Sequence, residues 1–108
     1  WYHMTEIETA VRYNIPAVIV VNNNASLNQE QALNERNYGT RTSGSDELWM
    51  LSDADFAGMA DSMGALGIQV TRPGDMASAL DQAISAKKPV VIDVKTHVEG
   101  IAPTAWLP

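Results

Sequence analysis

Cysteine is absent from this 108-residue chain. That absence excludes a disulfide framework, a thiolate nucleophile and the usual zinc sites, and it makes the cytoplasm the default compartment. Histidine is scarce as well: His3 and His97 lie far apart in no metal-ligand spacing, so both are read as ordinary structural or surface residues. No apolar run approaches the roughly 18 residues of a membrane span. Seven basic residues stand against thirteen acidic ones, a net charge of -6, and no aromatic-basic cluster occurs. Neither nucleic acid nor an anionic membrane surface is therefore expected as a partner. A glycine-rich phosphate loop is also missing, which weighs against a nucleotide-binding or flavodoxin-like domain. The chain starts at Trp1 rather than Met, and the expectation is that something upstream is missing.

What is present is the composition of one soluble domain, 45% hydrophobic and 19% charged. Met4, Ile7, Ala10 and Val11 fall at helical spacing and predict a helix over 4–13. Asn14, Ile15 and Pro16 end it, because proline disfavours helix in the residue before it. Ala17 to Val21 is a continuous β-branched run that suits a strand buried on both faces. Residues 22–52 are polar and poorly periodic, a long loop with a helical candidate near Gln29 to Glu35. Ser52, with Asp55 three residues on, marks the next helix start, and Phe56, Met59, Ala60 and Met63 make its apolar face. Gly64 and Gly67 bracket its end, and residues 68–70 form a short strand. After the turn at 72–75, Met76, Ala79, Leu80, Ala83 and Ile84 share one helix side, with Lys87 and Lys88 beyond it. Pro89 to Val94 is the last strand and 95–108 an extended tail.

Strands alternating with helices imply an α/β fold, a parallel sheet flanked by helices. Three strands make a thin sheet with an open edge, so association with a second copy or with further domains is expected. Asn22 to Asn24 close the first strand at its carboxyl end, where open parallel sheets bind ligands. Amide oxygens suit a hard cation such as magnesium, which also takes phosphate oxygens. Asparagine equally tolerates left-handed backbone angles and builds turns by itself.

Glu6-x-x-Thr9-Ala10-x-Arg12, Pro16, the apolar strand and then Asn22-Asn23 form a longer pattern. It resembles the second half of the motif of thiamine-diphosphate-dependent enzymes, the half that follows their Gly-Asp-Gly. The stretches at 55–70 and 79–94 look like the carboxyl-terminal pattern of the acetolactate-synthase-like branch, so the resemblance covers residues 1–94. It implies the carboxyl-terminal part of a diphosphate-binding domain, with thiamine diphosphate and Mg2+ as cofactors. By that resemblance the side-chain oxygen of Asn23 and the backbone carbonyl of Ala25 are magnesium ligands. Asn24 and the amino end of the helix that starts at Met4 belong to the cofactor-binding region. Gln29 stands near a substrate position and, being unable to transfer protons, would orient substrate by a hydrogen bond. Glycine often stands in the family where this chain has Ala25.

The Gly-Asp-Gly and the activating glutamate of the family are not among these residues, so no catalytic residue is assigned. The expected function is the magnesium- and cofactor-binding portion of a 2-keto acid decarboxylase or carboligase, inactive alone. An alternative is a non-catalytic association module with a vestigial cofactor site. An Asn23 amide turned inward, or an Ala25 carbonyl held in backbone pairing, would weigh against the ligand assignment.

Overall fold

The computed structural model describes residues 3–39, 44 and 46–100. In chain order the elements are α1 (Thr5–Arg12), β1 (Val18–Asn23), α2 (Asn28–Tyr38), α3 (Asp46–Trp49), α4 (Phe56–Ser62) and β2 (Leu66–Val70), then α5 (Met76–Ser85) and β3 (Val90–Lys95). A short 3-10 turn, Pro73–Asp75, leads into α5. All pairing among the strands is parallel, and the spatial order is β1-β3-β2. The chain thus leaves β1, forms β2 two positions away, and returns through α5 to fill the gap with β3.

That order decides what is buried. Val90, Val91, Ile92 and Asp93 in the central strand are essentially inaccessible. Side chains alternate across a sheet, so β3 divides the core in two. Val90 and Ile92 pack with Val70, Ala79 and Ala83 under α5, while Val91 packs with Ile7, Ala60 and Ala65 under α1 and α4. The first strand does not match the expectation of burial on both faces. Val18, Ile19 and Val20 are 37 to 49% exposed. The reason is position: β1 is an edge strand, and α5 packs over β2 and β3.

Local chemistry explains most element limits. α1 carries Glu6 and Glu8 in its first turn and Arg12 in its last, which complements the helix dipole. Arg12 also pairs with Glu8 at 2.9 Å across one turn. Asn14, at φ 52°, takes the left-handed conformation that closes the helix, and its N–H donates to the Val11 carbonyl. The cap of α4 is Asp55, whose carboxylate accepts Gly58 N–H at 2.8 Å, rather than Ser52, which lies three residues further out. Gly64 ends α4 with φ 88°. Gly67 matters for close approach instead. A Cβ there would fall on the Ala57 carbonyl, so its lack of a side chain lets α4 lie directly on β2.

β2 begins at Leu66, two residues earlier than the strand pattern indicates, because Leu66 N–H bonds to the Pro89 carbonyl and Leu66 pairs with Val90. Ile84 is 71% exposed and leaves the α5 core face to Ala79, Ala83 and Leu80. The polar stretch after β1 folds into α2 and α3, linked through an antiparallel bridge between Ser26 and Met50. Of the expected tail, Lys95 ends β3, Gly100 N–H closes a turn onto the His97 carbonyl, and residues 101–108, Trp106 included, lie outside the described residues.

Candidate functional site

The three consecutive asparagines end β1 and serve three separate purposes. Alternation turns Asn22 to the α5 face, where its side-chain oxygen accepts the Thr96 hydroxyl at 2.6 Å. Asn24 makes a local turn: its oxygen accepts Ser26 N–H at 3.1 Å and its nitrogen donates to the Asn28 side chain at 2.9 Å. Asn28 in turn donates to the Val98 carbonyl at 2.6 Å, tying the start of α2 to the segment after β3.

Asn23 faces the other way and is only 6% exposed. It shares its face with Val21 of β1 and with Val91, Asp93 and Lys95 of β3. Apolar packing therefore gives way to a polar cluster at the carboxyl ends of the two strands. The Asn23 amide nitrogen donates to Asp93 Oδ1 at 2.9 Å and to the Ala54 carbonyl at 3.0 Å. Both partners only accept, so they determine which end of the amide is which. Reversal would strand acceptors against the amide oxygen in a buried setting, at about 1–3 kcal/mol for each unsatisfied group. The nitrogen end therefore points inward, and the oxygen end turns to the loop, where it accepts Ala25 N–H at 3.2 Å.

Ala25 sits at φ 51°, in the left-handed region that favours glycine. Its carbonyl accepts Leu51 N–H at 2.7 Å as part of the Ser26 to Met50 pairing. Each expected ligand oxygen thus already holds one hydrogen bond, and the backbone pairing of the Ala25 carbonyl is the arrangement that weighs against it as a ligand; each oxygen keeps a second lone pair. Asp93 is fully buried; its Oδ2 accepts Phe56 N–H at 3.3 Å and lies 3.3 Å from Lys95 Nζ. Lys95 Nζ also donates to Asp53 Oδ1 at 2.5 Å and to the Ala54 carbonyl at 3.0 Å. Partial burial disfavours the charged ammonium, but the hydrogen bonds and negative charges of Asp53 and Asp93 outweigh it. The Lys95 pKa is raised from 10.5.

Among the described residues no group of three or more His, Cys, Asp or Glu side chains could hold a metal ion. The donor set at the end of β1 is two neutral oxygens. Such a set fits a hard, oxygen-seeking ion that brings its own anion: magnesium keeps octahedral oxygen coordination and commonly completes it with substrate phosphates. It does not suit a bare divalent ion, which a carboxylate would hold better. The ionic side chains nearby are already committed, Asp93 to three donors and Asp53 to Lys95.

Met4 lies elsewhere, at the amino end of α1. It lines an apolar hollow of about 240 Å3 with His3, Ile7, Ile19, Val21, Phe56, Met59 and Val91, on the face of β1 that carries Asn23. The side chain of Gln29 lies outside the described residues. Glu6 is exposed and Arg12 is committed to Glu8, so neither reaches the asparagines by any hydrogen bond found. Asp93, Lys95, Asp53 and Ala54 are site residues that motif reading passes over. One signal was there to read: a carboxylate inside the otherwise apolar run from Val90 to Val94.

The asparagines stand at the carboxyl edge of a parallel sheet in an α/β domain, the position at which open sheets of this kind bind ligands. Comparison with known proteins then specifies the class. Residues 1–94 match the family of the thiamine pyrophosphate enzyme, C-terminal TPP binding domain, and the chain belongs to that family; thiamine pyrophosphate and thiamine diphosphate are the same compound. It is 34% identical over 101 residues to the acetolactate synthase large subunit of Haemophilus influenzae, covering 89% of this chain and 17% of that protein. It is 36% identical over 89 residues to an acetolactate synthase of Bacillus subtilis, covering 82% and 15%. Sulfoacetaldehyde acetyltransferase of Castellaniella defragrans is 37% identical over 95 residues, covering 84% and 15%. The chain therefore spans about one sixth of the length of the relatives it matches. The parallel α/β sheet and the acetolactate-synthase-like relatives agree with the sequence reading. No described helix is long and apolar enough to cross a membrane.

Proposed function

We propose that this chain supplies the diphosphate end of a thiamine diphosphate site in a cytoplasmic 2-keto acid decarboxylase or carboligase, with a magnesium ion between protein and cofactor. The observation that carries the reading is the Asn23 amide. Its nitrogen is tied to Asp93 and Ala54, leaving the oxygen to the loop side at the carboxyl end of β1. The Asn23 side-chain oxygen and the Ala25 carbonyl would hold the ion, and Asn24 would fix the loop that carries them. When bound, thiamine diphosphate supplies the carbanion chemistry of the reaction.

This chain's own contribution is positional. Neutral oxygens at a sheet edge accept an ion whose charge is balanced by the diphosphate, so an acidic chain needs no basic patch. The Gly-Asp-Gly and the activating glutamate of the family are not among these residues, and the chain alone is expected to lack catalysis.

Isothermal calorimetry of thiamine diphosphate with the purified chain tests this. Binding with Mg2+ present should be tighter than with a chelator. Equal binding in both conditions, or decarboxylation of a 2-keto acid by the chain alone, would contradict the reading.

A second reading, a non-catalytic association module, draws on the exposed apolar edge at Val18, Ile19 and Val20. It requires self-association through β1 and no effect of the cofactor on thermal unfolding. Sedimentation of the wild type against Val20→Lys separates the two: loss of a dimer in the variant, with no cofactor-induced thermal shift in either, favours the module.

A further inference from the structure

Asp93 occupies the deepest polar position in the molecule's described core, fully buried in the central strand. The register sets Asn23 opposite Lys95 and Val21 opposite Asp93. The carboxylate therefore reaches Asn23 diagonally from two positions back on the neighbouring strand. Burial of a charge is costly unless its oxygens are satisfied. Here they are: one takes the Asn23 amide, the other the first N–H of α4 and the Lys95 ammonium.

For folding alone this arrangement is a poor choice. A buried ion pair is often no more stabilising than well-packed apolar residues of similar volume. A leucine or valine at 93 would simply continue the run from Val90 to Ile92. What the carboxylate does, and an apolar side chain cannot, is dictate the orientation of the Asn23 amide. An amide has two ends of nearly equal shape and opposite hydrogen-bonding character. With Asp93 and the Ala54 carbonyl both accepting, the nitrogen end is held inward and the oxygen end outward.

We propose that Asp93 is a positioning residue for the cofactor site: its carboxylate locks the Asn23 amide so that oxygen, not nitrogen, meets the divalent ion. The inference rests on the cofactor reading given under Proposed function. Lys95 and Phe56 N–H make the lock tolerable by neutralising and solvating the carboxylate from its other side. Metal sites generally depend on such outer partners, whose loss typically costs 10- to 100-fold in affinity.

The test uses the full chain, Mn2+ as a paramagnetic substitute for magnesium, and thiamine diphosphate. Asp93→Asn keeps the shape, but Phe56 N–H and Lys95 draw its oxygen and turn its amide nitrogen toward Asn23, so that only the Ala54 carbonyl still holds the Asn23 nitrogen inward. Ion-dependent cofactor binding should weaken about 10- to 100-fold, whereas binding in the presence of a chelator should stay as in the wild type. A variant as tight as the wild type overturns the proposal and leaves the cofactor reading standing. A wild type without ion-dependent binding overturns the cofactor reading and, with it, this role. An independent readout needs no cofactor and no variant. The Asn23 side-chain amide protons of the wild type should exchange slowly with solvent. Rapid exchange would show that no lock exists, whatever the binding data say.

Discussion

Asn23 and Lys95, opposite each other across β1 and β3, donate to the same two acceptors, the Ala54 carbonyl and the Asp93 carboxylate. One donor is neutral and one is charged, and together they close a small square at the carboxyl end of the sheet. The square joins β1, β3 and the segment before α4, so that loop position and amide orientation are set together. Its members run from Asn23 to Lys95, and the hydrogen bond between Asn23 and Asp93 alone joins positions 70 residues apart.

Removing the neutral donor should therefore cost stability as well as cofactor affinity. Asn23→Ala leaves Asp93 Oδ1 without its 2.9 Å partner in a buried place. The expected loss is about 1–3 kcal/mol. Urea denaturation measures it as a lower midpoint with an unchanged slope. No shift in midpoint would mean that the hydrogen bond contributes nothing.

The charged donor gives a pH signature. Hydrogen bonds and charge from Asp53 and Asp93 prevail over partial burial and raise the Lys95 pKa above its usual 10.5. A group whose pKa is raised by folding stabilises the native state fully below its unfolded value, and that contribution disappears as pH climbs through the folded value. Thermal midpoints should hold steady up to about pH 10 and then fall as alkali deprotonates Lys95. Lys95→Met should start lower and lose that particular alkaline drop. The same drop in both proteins would assign it to other groups.

Ala25 carries strain that glycine would relieve. At φ 51° an alanine is disfavoured by about 1–2 kcal/mol relative to the right-handed region. Glycine gives up part of that gain through unfolded-state entropy. Ala25→Gly should therefore raise stability by up to about 1 kcal/mol, read from denaturation midpoints. Because only the carbonyl is assigned a role at this position, ion-dependent binding should be kept. A destabilised variant would mean that the methyl group packs in a way the backbone angle does not reveal.

Gly67 predicts the opposite sign. A Cβ would collide with the Ala57 carbonyl, and backbone on both sides leaves no flexible side chain to yield. Gly67→Ala should cost about 1–3 kcal/mol or more by pushing α4 from β2. Since Phe56 begins α4 and donates to Asp93, cofactor affinity should drop in step. An unaffected melting point would show that helix and strand can separate freely.

The architecture was largely legible because it depends on short-range patterns. Proline after Asn14, the run from Ala17 to Val21 and the apolar spacing of α4 and α5 each predict their element locally. Asn22 and Asn23 belong to β1 rather than to a loop after it, because Asn23 pairs with Lys95, a contact that local propensity does not see. The exposure of β1 was hidden for the same reason: a β-branched run reads alike in a central or an edge strand, and only the order β1-β3-β2 tells them apart. Within the candidate site, the asparagines stood out through the motif. Their partners did not, since Ala54 contributes only its backbone carbonyl and Lys95 looks like any strand-end cation. Asp93 alone broke a pattern strongly enough to have been noticed.

The most direct test follows Mn2+ and thiamine diphosphate added to the 15N- and 13C-labelled chain. The account predicts that paramagnetic broadening appears first at the Asn23 side-chain amide and the Ala25 carbonyl, and only when ion and cofactor are both present. Broadening centred instead on surface carboxylates such as Glu47 or Asp61, with the Asn23 signals unchanged, would contradict it.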